Sequence, residues 1–165
     1  MADEFLSPGL DQATSDKVVS VLQNRLAQEE EASLILKHAH WNVAGPSFIG
    51  VHEMLDPEVD AVRNMADETA ERIATLGGSA EGTPESIISN RTWPEFKLMG
   101  RQNTQDYLKA LVDYYADFIV AERNAYKELD PIDIISSNIM QDHVQELEHF
   151  NWFMNSHLIE EQAHA

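Results

Sequence analysis

The stretch SFIGVHEMLDPEVDAVRNMADETAERIATLGG, Ser47 to Gly78, decides the fold. Phe48, Val51, Leu55, Val59, Val62, Ala66, Thr69, Ile73 and Leu76 recur in steps of three and four, which is the period of one helix face. The spacing predicts a long helix from Ser47 to Leu76. Gly77-Gly78 should end it, because glycine tolerates the left-handed backbone of a helix C-cap. Pro57 lies inside the helix. It lacks an N–H and crowds the carbonyl of Glu53, so a kink beside Asp56 is expected.

The same periodicity extends outward in both directions. A first helix is predicted from Thr14 to Trp41, with Ser15 able to cap its start. Val18, Val19, Leu22, Leu26, Leu34 and Leu36 form its apolar positions, and Gln28 to Glu31 reads as a polar middle. Gly45-Pro46 separates it from the second helix. A long connection, Ser79 to Gln102, follows the second helix and carries a short helix at Glu85 to Ser89. A third helix runs from Thr104 to Leu129 on Tyr107, Leu108, Leu111, Tyr115, Phe118 and Ile119. Asp130-Pro131 reads as the N-cap and first turn of a fourth. That helix carries Ile132, Ile135, Ile139, Leu147, Phe150 and Met154 and ends near Glu160. No strand-like alternation is visible. The reading is therefore all-α, a four-helix bundle whose crossover between helices two and three lets those two run parallel, as in ferritin-like bundles. One domain over residues 1–165 is expected, with tails at 1–13 and 161–165.

Composition narrows the chemistry. The chain has 165 residues, of which 43% are hydrophobic and 24% charged, as expected of a single folded domain. It has no cysteine, which excludes disulfides, thiolate metal sites and cysteine nucleophiles. Any metal must be held by His, Asp and Glu, a donor set that suits iron, manganese or zinc. Lysine and arginine number 11 against 29 acids, a formal charge of −18. Such a surface repels phosphate backbones and attracts cations. No basic leader and no membrane-length apolar run is present, so a cytoplasmic location is expected.

The second helix carries two ligand pairs, His52 with Asp56 and Asp67 with Glu71, each at the four-residue spacing of one helix face. All four lie within an arc of about 100°. Yet His52 and Glu71 are separated by roughly 28 Å of helix at about 1.5 Å per residue. One chain cannot close them around one metal. Two copies, antiparallel about a two-fold axis, bring His52 and Asp56 of one against Asp67 and Glu71 of the other, and form two sites at once. The first helix ends in His38, His40 and Trp41, close enough in sequence for a histidine to complete the site.

The run from His40 to Asp56, HWNVAGPSFIGVHEMLD, resembles the signature of the Dps family of ferritin-like miniferritins. So do Asp67-x-x-x-Glu71-Arg72 and the following Ala74-Thr75-Leu76-Gly77-Gly78. The resemblance implies a homo-dodecameric hollow shell built from two-fold dimers. It also implies a ferroxidase centre with His40, His52 and Asp56 from one subunit and Asp67 and Glu71 from its mate. The implied activity is oxidation of Fe(II), preferably by hydrogen peroxide or otherwise by oxygen, with ferric mineral stored inside and protection against oxidative stress. Trp41 and Trp152 match tryptophans near the family's centre, although core packing is the simpler expectation for each. Asp130, Asp133 and Asp142 are candidates for the acids that line the family's three-fold pores. Glu146 and His149 form one E-x-x-H. Intrachain di-iron bundles need two, so this pair is expected at the surface. His143 is expected to be a satisfied core histidine, and His38 structural.

Two other functions compete. Family members that bind DNA do so through basic tails. Here Met1 to Lys17 has one basic residue and four acids, and His157 to Ala165 has two acids and neither Lys nor Arg. Direct DNA binding is therefore not expected. A hydrolase using zinc or manganese at the same donors would suit the chemistry, but the sequence offers no dedicated substrate pocket.

Overall fold

The computed structural model describes residues 9–159. Four long helices form the body: α1 (Gln12–Asn42), α2 (Phe48–Thr75), α4 (Thr104–Leu129) and α5 (Ile134–Leu158), with a short α3 (Pro84–Asn90) between the second and the third of them. α1 packs along α2, and α4 along α5, as two hairpins laid side by side. Among the described residues, strand structure, not expected from the sequence, occurs in one place. Val43–Ala44 (β1) pairs in parallel with Gln102–Asn103 (β2).

That pairing fixes the path of the crossover. The end of α2 lies beside the start of α1, where the Ser15 hydroxyl donates to the Leu76 carbonyl at 2.6 Å. The end of the crossover lies beside the end of α1, through β1 and β2. Residues 77–101 therefore travel the length of the bundle, and α2 and α4 run in the same direction. On the way α3 packs on α1, where Asn24 Nδ2 donates to the Asn90 carbonyl at 3.0 Å.

Helix ends follow local chemistry, with two corrections to the sequence reading. α1 is capped by Asp11, whose carboxylate accepts from the Thr14 amide at 2.8 Å, and not by Ser15, which is buried inside the first turns. α5 is capped by Asp133, which accepts from the Ser136 amide. Asp130 instead ends α4, with helical backbone and its amide bonded to the Tyr126 carbonyl. A short turn intervenes, so the fourth helix starts later than Pro131 suggested, and it ends at Leu158. α2 runs unbroken through Pro57. Its end is a Schellman turn. Gly78 N–H reaches the Ile73 carbonyl and Gly77 N–H the Ala74 carbonyl, both at 3.0 Å, with Gly77 at φ +83°.

The α2 stripe is buried as its spacing predicts, with Phe48 partly covered. Two expected core positions are exposed, Leu34 on α1 and Ile135 on α5. The larger difference lies in the middle of α1. Gln28, Glu29 and Glu31, read as a polar stretch, are buried. The apolar core consequently falls into two clusters. One is built around Leu36, Leu55, Tyr115 and Phe118, the other around Leu22, Ile73, Leu129 and Met140. Buried polar groups from all four long helices lie between them: Arg25, Gln28 and Glu29 on α1, Thr69 on α2, Glu122 on α4 and His143 on α5.

Candidate metal centre

The α1–α2 corner brings together three of the five expected ligands. α1 ends one turn beyond His40, and β1 and a short turn lead straight into α2, so His40 and His52 meet across the corner. Their main chains and rings are locked reciprocally. His40 Nδ1 lies 2.8 Å from the His52 carbonyl, and His52 Nδ1 lies 2.9 Å from the His40 carbonyl. A carbonyl can only accept, so each Nδ1 carries the proton and each Nε2 keeps its lone pair for a ligand. The rings stack with centroids 3.7 Å apart. Asp56, one turn further along α2, places Oδ1 3.3 Å from His40 Nδ1.

Lys37 also belongs to this corner, and sequence reasoning missed it. Its ammonium contacts Asp56 Oδ1 at 2.5 Å and holds that carboxyl below the usual aspartate range, against the opposing effect of desolvation. The signal available was position alone, since Lys37 precedes His40 by three residues on the same helix face.

Asp67 and Glu71 are exposed further along the same unbroken helix. Among the described residues, neither carboxylate makes a side-chain hydrogen bond or an ion pair. A single chain therefore presents two separate donor groups: two imidazoles with a carboxylate, and two bare carboxylates. Between them and the bundle stands Arg72. Its Nε donates to Ser136 Oγ at 3.0 Å and its Nη2 to Asp133 Oδ2 at 2.7 Å, which ties the last turns of α2 to the start of α5.

The remaining candidates divide. Trp41 is 70% exposed and Trp152 63% exposed, so neither packs in the core of its own chain, contrary to the packing expectation. The Trp152 ring lies 5.2 Å from Phe153 and 5.8 Å from His149. Asp133, a pore candidate, offers no free carboxylate: it is buried, capping α5 and paired with Arg72. Asp130 and Asp142 are exposed, as are Glu146 and His149, in agreement with the surface reading of that E-x-x-H. His38 is half-buried, within 3.1 Å of the Leu98 carbonyl and 3.2 Å of the Tyr107 hydroxyl, a structural role as expected.

The ferritin-like domain family matches residues 19–162. A protein of Mycolicibacterium smegmatis named DNA protection during starvation protein is 46% identical over 154 residues, covering 93% of this chain and 84% of that protein. The chain belongs to the Dps family. The crystal structure titled Mycobacterium smegmatis Dps tetragonal form superposes with a TM-score of 0.93 at 44% identity, covering 96% of this chain and 97% of that one. Another relative carries a different name. The fine tangled pili major subunit of Haemophilus ducreyi is 45% identical over 92% of this chain and 79% of its own. Membership in the family fits the fold directly, including the short helix within the crossover. Among the described residues, no helix is long and apolar enough to cross a membrane.

Proposed function

We propose that this chain forms a cytoplasmic dodecameric shell that oxidises Fe(II) at sites shared across two-fold axes and stores the ferric product inside. In each site His40, His52 and Asp56 of one subunit face Asp67 and Glu71 of the other. The observation that carries this reading is the pair of complementary donor groups at two places along α2, the first completed by His40 from the end of α1. Two imidazole Nε2 atoms and one carboxylate lie at one end, and two uncommitted carboxylates at the other. Imidazole holds ferrous iron and carboxylates favour ferric iron, so the mixed set suits an ion that changes oxidation state. Few protein donors per metal leave positions for an oxidant. With hydrogen peroxide as the oxidant, two Fe(II) ions each give one electron. The O–O bond breaks, and two protons complete two waters, so no hydroxyl radical is released.

Assembly is supported by large apolar side chains left exposed on the single chain, among them Leu34, Trp41, Ile49, Ile88 and Trp152. The formal charge of −18 supports a shell that gathers cations and does not bind DNA directly.

The test is anaerobic Fe(II) loading of the assembled protein followed by peroxide, with ferric absorbance as the readout. Asp67→Ala should abolish the fast phase. Asp56→Ala and Glu71→Ala should each be slow alone. Refolded together they should recover part of the activity, because each mixed dimer contains one intact site and one doubly damaged site. Undiminished oxidation by Asp67→Ala, or no recovery on co-assembly, would overturn the shared-site reading.

A further inference from the structure

The polar layer that divides the core contains a second constellation, independent of the α1–α2 corner. Glu29 on α1, Glu122 on α4 and His143 on α5 are all buried, and one donor atom from each lies within 4.8 Å of the others. Metal–ligand bonds of about 2.1 Å set the donors of a low-coordinate site about 3.5 Å apart, so closure requires side-chain shifts of at most about 1 Å.

The hydrogen bonding of this cluster is incomplete. Glu29 Oε1 accepts from Thr69 Oγ1 at 3.1 Å and lies 3.1 Å from His143 Nδ1. Glu29 Oε2 and both oxygens of Glu122 are buried without a hydrogen-bond partner among the described residues. The nearest cation, Arg25, stays 3.6 Å from Glu122 Oε1, because its guanidinium is committed to Gln28 at 2.7 Å and to Asn24. Three bare carboxylate oxygens beside an imidazole nitrogen are costly in a dry core, and a proton on Glu122 relieves only one of them. A single cation would engage all three.

We propose that Glu29, Glu122 and His143 bind one divalent transition-metal ion inside each helix bundle. His143 would ligate through Nδ1, the nitrogen that faces Glu29. Its Nε2 faces Glu68 Oε2 at 3.3 Å, so the ring would donate Nε2–H to a carboxylate. That outer contact fixes the ring and raises its basicity, as is usual for metal-bound histidine. Two carboxylates and one imidazole suit Zn²⁺, Mn²⁺ or Fe²⁺. A cleft of about 260 Å³ between α2 and α5 reaches His143 from the surface, with Glu68, Asp142 and Glu146 on its walls. These acids give a cation a path inward, and the exposed Glu68 can hand it on.

Without metal, burial with Glu29 alongside pushes the Glu122 carboxyl up to about 8, against the pull of Arg25 and His143. Burial alone would depress the His143 imidazolium, but Glu29, Glu122 and Glu68 around it push it up to about 9.

The experiment uses the full-length assembled protein with Co²⁺ as a visible probe and Zn²⁺ as competitor. Wild type should bind one more Co²⁺ per chain than Glu122→Gln, a substitution that keeps the side-chain shape. The extra ion should show the intense visible bands of a low-coordinate site, and Zn²⁺ should erase them. Asp67→Ala should retain those bands, which separates this site from the one shared between subunits. Crystals of the wild-type protein soaked in Co²⁺ supply a check that needs no variant. An anomalous peak among Glu29, Glu122 and His143 is expected. Equal Co²⁺ stoichiometry in wild type and Glu122→Gln, or a saturated crystal with no peak there, would overturn the proposal.

Discussion

Glu58 should make this protein less stable as pH rises, and Glu58→Gln should abolish that effect. Glu58 sits on α2 with no exposed surface. Among the described residues, its one hydrogen bond comes from the Tyr115 hydroxyl, donating to Oε2 at 3.5 Å, and Oε1 has no partner. Burial outweighs the Tyr115 contact and pushes the carboxyl up to about 8 from an ordinary 4.5. The folded state therefore keeps a proton that the unfolded chain loses above pH 4.5. Below that pH both states are protonated and nothing is lost. Between 4.5 and about 8, stability falls with rising pH by about 1.4 kcal/mol per unit. From about pH 5 to about pH 7.5 the loss is roughly 3 kcal/mol.

Glutamine has the same shape and no titration. Its amide N–H₂ lacks a partner here, a constant cost of roughly 1–3 kcal/mol at every pH. That constant cancels when the comparison is made between two pH values. Guanidinium unfolding of both proteins, followed by circular dichroism at equal subunit concentration with a chelator present, gives the difference in stability directly. Glu122 and His143 titrate equally in both proteins and drop out. The variant should gain about 3 kcal/mol on wild type between about pH 5 and about pH 7.5. A stability difference that stays constant across that range would refute the assignment of a protonated buried Glu58.

Three other substitutions, with Gly82→Ala as a control, test particular contacts. A Cβ on Gly78 would meet both γ-carbons of Val19 at 2.9 Å and Ile73 Cγ2 at 3.0 Å, so Gly78→Ala should cost roughly 1–3 kcal/mol in thermal or chemical unfolding. Gly82→Ala, with nothing within 4 Å, should stay within about 0.5 kcal/mol of wild type. Asp133→Ala removes the α5 cap and the buried partner of Arg72, and a loss of roughly 3 kcal/mol is expected at neutral pH. Burial opposes ionisation of Asp133, but Ser136 and Arg72 outweigh it and hold the carboxyl below its usual range. Wild type should therefore keep its advantage down to mildly acidic pH and lose it only as pH falls through that lowered value, which unfolding curves at stepwise lower pH will show. Lys37→Gln frees Asp56 and removes a positive charge from the α1–α2 corner. Calorimetry with Zn²⁺ should show several-fold tighter binding at the shared site, and unchanged or weaker binding would place Lys37 outside it.

Much of the fold could be read from one rule. Steps of three and four on α2 and α4 found the faces that are buried, because both helices fill most of their inward positions with large apolar side chains. The same rule, applied only to apolar residues, missed what divides the core. On α4 the buried series is Leu111, Tyr115, Phe118, Glu122, Ala125 and Leu129, in unbroken steps of four and three through the glutamate. On α1 the series Leu22, Leu26, Glu29, Ser33, Leu36 and His40 does the same. Spacing located these groups, and polarity disguised them. Cap positions failed for a different reason. Ser15 and Asp130 are acceptable caps in isolation, but Asp11 and Asp133 win because the tertiary structure sets where each helix begins. Of the proposed metal site, spacing singled out the His52–Asp56 and Asp67–Glu71 pairs, whereas the choice of His40 came from the family resemblance. Lys37 was not legible, because an ion pair between helices leaves no periodic trace.

The buried acids together show why the polar layer differs from ordinary core charge. Glu31, Glu29, Glu58 and Glu122 are each 6% exposed or less. Glu31 is satisfied by Arg91, Trp93 and, more distantly, Tyr114. Glu58 is relieved by a proton and lies among apolar neighbours on α2. Glu29 is half satisfied, by Thr69 and His143. Glu122 has no hydrogen bond at all among the described residues, although Gln28 and Asn24, close by, occupy the guanidinium that could have turned to it. A leucine at position 122 would join the two apolar clusters without any of these costs, and buried ion pairs are often replaceable by apolar side chains with no loss of stability. Packing alone therefore gives no reason for a carboxylate there. A ligand that needs both of its oxygens does, and Glu29 and His143 each hold a donor atom within 4.8 Å of one of them.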